Sequence, residues 1–365
     1  MLPLEGILVV EHSMGLAGPF AGVRLADLGA RVIRIEQAEE GSLPLISLYR
    51  NKERFLYNAA CDQDTRKLNQ LIAAADIYLD GPSLQALPFG GAFREKWRSN
   101  HPQLIHAMIT SCGGRDMEDT KAYDDLFIQA LTGMPWLNGN ADDPPIPFPL
   151  STVEMFASAN LVQGILAALV HRAHTRLGML VEVSLLESAI DVQFEVLTTH
   201  LNDGGLQPQR SAVSNAHAYL AAPYGVYETS DGYLALAMGS VLELGKLLHC
   251  DALAKYKDPA SWFVHRDEIK LNLTEHLKSR PASAWKKDLE AGGYWCAEVQ
   301  TTQELLQHEG FRALQHLQQI EVEDQGLFVT PHCPIKIDST HLNSRRGILR
   351  AGEDNAAIEE EFKLI

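Results

Sequence analysis

The chain is poor in the features that would make it an exported, membrane-spanning or nucleic-acid-binding protein. Its 365 residues hold only five cysteines, Cys61, Cys112, Cys250, Cys296 and Cys333, widely spaced and never in a CxxC pair. Neither a disulfide framework nor a zinc knuckle is suggested, and a reducing compartment is expected. No run of about 18 uninterrupted apolar residues occurs, and the opening MLPLEGILVVEHS has no basic leader region. A cytoplasmic protein without membrane association is therefore expected. Basic residues are also scarce: 31 Lys and Arg stand against 47 Asp and Glu, a formal charge of −16. That balance repels phosphate backbones and argues against nucleic acid, so an anionic small ligand would have to find a local basic patch or a helix N-terminus.

What is present is ordinary globular composition, 46% hydrophobic and 21% charged, long enough for about two domains at roughly 150 residues each. The N-terminal half alternates strand and helix. GILVVE reads as a strand, Gly18-Pro19 opens a helix through FAGVRLADL, Gly29 closes it, and RVIRIE is a second strand. DQDTRKLNQLIAAA, DIYLD and LIHAMITS continue the pattern as helix, strand and strand, and residues 124–137 read as a helix. A parallel, doubly wound sheet follows from that alternation. The long apolar helix MFASANLVQGILAALVHRAH must bury most of its faces, and LVEVSLLESAIDVQFEVLTTHL then gives a strand and a further helix.

The breaker-rich run 203–216 reads as a linker. It separates a large Rossmann-like domain, 1–202, from a smaller α+β domain, 217–329, whose hairpin turns at Ser230-Asp231-Gly232. No internal repeat is found.

Motifs for chemistry are few. HSMGLAGP carries Gly15 and Gly18 without GxGxxG spacing, so dinucleotide binding is weakly supported. His171 and His174 form an i, i+3 pair with no third ligand nearby, Cys112 has no identifiable partner base, and no metal site is expected. Tyr123 lies at a helix start, either packing or offering its hydroxyl to a carboxylate or thioester carbonyl. Glu154 ends Ser151-x-x-Glu154, a capping-box pattern at the head of the long helix. The same carboxylate could be a nucleophile beside backbone amides, and the pattern alone leaves both open.

Four segments together carry a family resemblance: LEGILVVEHSMGLAGPFAGVRLADLGARVIRIE, AYDDLFIQALTGMPWLNG, QGILAALVHRAHTRLGMLVEVSLLESA and APYGVYETSDGYLALAMG. In order and over nearly the whole chain, they resemble the family III CoA-transferases, the superfamily of formyl-CoA transferase, carnitine CoA-transferase and α-methylacyl-CoA racemase. The resemblance implies a large Rossmann-like domain completed by the C-terminal tail, 330–365, and two chains interlocked as a homodimer. Coenzyme A or acyl-CoA is implied as co-substrate rather than as a tightly bound cofactor, with a small carboxylic acid as second partner.

It further implies a catalytic carboxylate, aspartate in the transferases and here Glu154, which forms a mixed anhydride and then carries CoA as a thioester. Tyr123 stands where the racemase branch has a histidine, and a phenol of pKa near 10 is a poor base, so it is expected to orient a carboxylate. The family's N-F-x-P-G loop is replaced by Leu79-Asp80-Gly81-Pro82-Ser83, and the basic residue after the second strand by Gln37-Ala38. CoA contacts are therefore expected from the backbone near Leu16 and Ala17 and from Arg50, Lys52 and Arg54 of YRNKER. Two other readings remain: a catalytically silent acyl-CoA-binding homologue, and a racemase or isomerase using Glu154 as base.

Overall fold

The computed structural model describes residues 1–37, 45–81, 99–113 and 124–365. It divides into two compact units, one of residues 1–128, 150–192 and 315–365, the other of 129–149 and 193–314.

The first unit is built on a six-stranded parallel sheet. Strands β1 (Leu8–His12), β2 (Arg31–Gln37), β3 (Lys52–Tyr57), β4 (Ile77–Asp80), β5 (Ile105–Thr110) and β6 (Leu180–Ser184) lie in the order β3-β2-β1-β4-β5-β6. This is the doubly wound Rossmann order, and its direction reverses between β1 and β4. Ligands bind such sheets in the crevice beyond the carboxyl ends of the strands at that reversal. The ends in question are His12 and Asp80, which are register partners. β1, β4 and β5 are buried along nearly their whole length, which is why they read as continuous apolar runs.

Helices α1 (Ala17–Asp27), α2 (Asp62–Ala74), α3 (Asp125–Thr132), α4 (Thr152–Thr175) and α5 (Leu185–Val192) connect or follow the strands. α1 packs on β1 so closely that a Cβ at Gly22 would lie 1.8 Å from Glu11 Oε2, so only glycine fits there. On α4, Val153, Ala157, Leu161, Val162, Ile165 and Ala168 form the buried stripe.

β3 is not among the strands that the sequence pattern predicts. Lys52, Glu53 and Arg54 open it, and such charges disfavour a buried strand unless each is paired. They are: Lys52 Nζ meets Glu11 Oε2 at 2.6 Å, and Arg54 meets Glu36 at 2.9 Å. The 124–137 helix is also shorter than expected, ending at Thr132 before a 3₁₀ turn, Met134–Leu137.

The C-terminal residues group with the first unit from Gln315, where the resemblance implies a tail from 330. The difference is the hairpin Leu317–Val322/Gly326–Pro331, whose Ile320 and Val322 pack with Leu16, Val23 and Leu48. Asn355 both donates to the Leu56 carbonyl and accepts its N–H, closing the edge of β3.

The second unit holds the expected hairpin, Gly225–Glu228 with Tyr233–Leu236, extended by Cys296–Glu298 into a three-stranded antiparallel sheet. Tyr227, Leu234, Leu236, Leu244, Leu273 and Trp285 centre its core.

Two expectations about boundaries are corrected. The helix expected within LVEVSLLESAIDVQFEVLTTHL, 180–201, breaks at Gln193, where the chain passes from one unit to the other. Residues 203–216 do not behave as a linker either. Arg210, 8% exposed, donates to the carbonyls of Asn138, Ala141 and Asp143, and the buried Lys270 ammonium holds Ser211 and Ser214. Those bonds fasten the run into the second unit, and breaker residues alone do not reveal them.

Candidate active site at the sheet reversal

The loop leaving β1 runs Ser13-Met14-Gly15-Leu16 into α1, beyond the carboxyl end of β1. α1 starts without a capping side chain at Leu16 and without an acidic residue in its first turn. Its first amides are therefore open to an acceptor from elsewhere. Glu154 supplies it: Oε1 accepts the Leu16 N–H at 3.2 Å, and the Ala17 N–H also contributes. The positive end of the α1 dipole thus faces the carboxylate.

Glu154 can make that contact because it does not cap its own helix. Ser151, the N-cap of α4, makes no side-chain cap hydrogen bond, so the capping box read from the sequence does not form. The Glu154 N–H donates instead to Asp125 Oδ2 at 2.9 Å. Asp125 is 8% exposed, and its neighbour Asp124 caps α3 through the Phe127 N–H.

Space for the carboxylate comes from Gly15. Its φ is +70°, and an added Cβ would stand 3.2 Å from Glu154 Oε1. A side chain there would be strained by the left-handed backbone and would crowd the oxygen.

Burial is the largest influence on Glu154 and pushes its carboxyl above the usual carboxylate range. The Leu16 amide opposes it, and the charges of Asp125 and Asp124 reinforce it. A carboxylate of raised basicity, held by backbone donors and spared from its own cap, is suited to attack a carbonyl carbon or to take a proton.

The other expected site residues are distributed differently. Tyr123, Pro82, Ser83 and Ala38 lie outside the described residues. Leu16 and Ala17 reach the site through their amides, which here hold Glu154. The cations of YRNKER are turned inward, contrary to the expected phosphate contacts. Arg50 meets Asp27 at 2.6 Å, while Lys52 has no exposed side-chain surface and also donates to the Pro19 carbonyl. Arg54 bonds Glu36 and the Leu349 carbonyl and keeps a side-chain exposure of 15%. These cations compensate Glu11, Asp27 and Glu36, acidic residues of β1, α1 and β2 that were not read as their partners.

Sequence reasoning also missed His12 and Asp125. His12 sits at the end of β1, 1% exposed, and burial holds its pKa down to about 3, so it is neutral. Nothing in the local sequence marks Asp125 as the partner of the Glu154 amide, 29 residues away. Among the described residues, no group of three or more His, Cys, Asp or Glu side chains is arranged to hold a metal ion.

Comparison with known proteins bears on what this arrangement serves. The family described as CoA-transferase family III matches residues 4–355. A protein named succinate–glutarate CoA-transferase from Agrobacterium fabrum is 25% identical over 392 residues, covering 100% of this chain and 96% of that one. A succinyl-CoA:mesaconate CoA-transferase from Haloarcula marismortui is 25% identical over 327 residues, covering 83% and 81%. The crystal structure of a CAIB/BAIF family protein from Brucella suis superposes with a TM-score of 0.82 at 25% identity, over 99% of both chains.

Proposed function

The chain belongs to CoA-transferase family III, and from that premise we propose that it moves CoA between two small carboxylic acids with Glu154 as nucleophile and CoA carrier. The observation that carries this reading is the contact of Glu154 Oε1 with the Leu16 amide, made in a helix start whose capping box is not formed and whose Glu154 N–H is held by Asp125 in place of Ser151.

Oε2 attacks the thioester carbonyl of the donor and CoA leaves as thiolate, giving a mixed anhydride. The thiolate then attacks the Glu154 carboxyl carbon and expels the donor acid as its carboxylate. Oε1 remains as the thioester carbonyl oxygen, and the Leu16 amide, with Ala17 beside it, receives the negative charge that gathers on it when the thiolate adds to the Glu154 carboxyl carbon; in the first addition that charge forms on the donor's carbonyl oxygen instead. The acceptor acid reverses the two steps. No metal or tightly bound cofactor is required, and Tyr123 is assigned the orienting of an acid substrate.

The relatives act, by name, on succinate, glutarate and mesaconate, so short dicarboxylic acids are the first substrates to try. A homodimer completes the proposal. Val170, Ile190 and Val192 of the first unit and Phe194, Leu201 and Leu206 of the second expose apolar side chains that a second copy would cover. A cytoplasmic location, where acyl-CoA is available, accords with the cysteine usage.

The test is transfer of CoA from succinyl-CoA to glutarate or mesaconate, followed by chromatography of the CoA esters. New glutaryl- or mesaconyl-CoA supports the reading. Exchange of α-hydrogen with deuterated water, without transfer, identifies an isomerase, and neither activity identifies a silent homologue.

A further inference from the structure

We propose that Asp125 is a positioning residue whose fixed negative charge beside Glu154 favours the CoA-loaded enzyme over the free carboxylate. The proposal rests on the transferase reading of Glu154 and goes beyond it, because it concerns how the loaded and unloaded enzyme are balanced.

The geometry gives Asp125 two separable effects. Its Oδ2 accepts the Glu154 N–H at 2.9 Å, which fixes the first turn of α4 and takes the place that Ser151 leaves empty. Through that contact with the Glu154 backbone, its charge also acts on the Glu154 carboxylate, in a site where Asp125 itself is 8% exposed and solvent screens weakly. Among the described residues, Asp125 and then Asp124 are the leading charges acting on Glu154, both negative. The opposing donors are the neutral Leu16 and Ala17 amides.

The net loading step is Glu154–COO⁻ plus R–CO–SCoA going to Glu154–CO–SCoA plus R–COO⁻. One C–S bond breaks and one forms, an oxygen of Glu154 leaves in the released acid, and the single negative charge moves from the enzyme to the product. Repulsion between Asp125 and Glu154 exists only before the step. It therefore raises the free carboxylate and shifts the balance toward the thioester, without touching the substrate. A residue acting only as a helix cap would hold the two states equally.

Asparagine separates the effects, since its carbonyl oxygen still accepts the Glu154 amide but carries no charge. The full-length Asp125→Asn chain and the wild type are equilibrated with succinyl-CoA and succinate at fixed ratios, and the thioester fraction is read by intact-protein mass spectrometry across pH.

The loading equilibrium should fall about three- to tenfold in the variant, as for half to one pKa unit of lost like-charge repulsion. The acid limb of loading should move to lower pH. Asp124→Asn should give a smaller shift in the same direction, and it carries the charge test if Asp125→Asn does not fold. Wild-type thioester with an unchanged fraction and acid limb in a folded Asp125→Asn chain overturns this inference alone. So does a shift in Asp124→Asn exceeding that in Asp125→Asn, or no shift in Asp124→Asn where it carries the test. Absence of thioester in the wild type overturns the reading beneath it as well.

Discussion

Glu154 Oε1 accepts the Leu16 backbone N–H at 3.2 Å, joining residues 138 apart in sequence at the point where the parallel sheet reverses direction. The contact ties the first turn of α4 to the first turn of α1. It puts a half-buried carboxylate where strand ends, an open helix N-terminus and a glycine without side chain meet.

Gly15 makes that meeting possible, and Gly15→Ala tests it. The new Cβ would occupy a backbone of φ +70° and stand 3.2 Å from Oε1. The strain should cost about 1 kcal/mol of stability. Displacing the carboxylate by a few tenths of an ångström to 1 Å should lower kcat by about ten- to a hundredfold. In the Glu154→Asp background, where the carboxylate is one methylene shorter, the same alanine should cost the same stability but a smaller further loss of kcat. Urea unfolding and steady-state kinetics on the four chains measure both effects.

Lys52 is assigned to the interior rather than to CoA. Its ammonium is fully buried against Glu11, which Arg34 also contacts at 2.6 Å. Lys52→Met should lower stability by about 3 kcal/mol, since it leaves a buried carboxylate with one cation in place of two. The KM for acyl-CoA should stay within about twofold of wild type, because exposed phosphate contacts are not involved. A large rise in KM with stability intact would return Lys52 to the phosphate-binding role read from the sequence.

His12 supplies a pH dependence. It is neutral in the folded chain, with a pKa held down to about 3, and titrates near 6.5 when unfolded. The unfolded chain therefore binds the extra proton first. This contribution to stability is complete above about pH 6.5 and is lost progressively as pH falls toward 3. Between pH 7.5 and pH 5 it should remove about 2 kcal/mol. The His12→Phe chain, compared by urea unfolding at both values, should lose less stability than wild type by that amount. Equal losses would show that His12 protonates in place.

Features of the fold set by local pattern were legible in the sequence. β1, α1, β2, β4, β5 and α4 were all visible as apolar periodicity with glycine and proline at the helix ends. β3 was hidden because Lys52 and Arg54 find their partners on β1 and β2, which no local pattern reports. The fastening of 203–216 was hidden in the same way, since the acceptors of Arg210 lie near residues 138–143.

At the site, Glu154 was singled out by the family resemblance while its local sequence also pointed to a capping box. The capping box is not formed, because Asp125, which lies outside the S-x-x-E pattern, accepts the Glu154 N–H in place of Ser151.

The covalent role of Glu154 is the centre of this account, and intact-protein mass spectrometry tests it most directly. Wild type and Glu154→Gln are incubated with succinyl-CoA and the masses compared, with thermal melting as a check on folding. A CoA-sized increase should appear in wild type and be absent from Glu154→Gln, whose turnover should fall by at least about a thousandfold. The variant should melt no lower, because burial already disfavours the charge it removes. A CoA adduct that persists in Glu154→Gln, or a wild type that transfers CoA without ever carrying one, would contradict it.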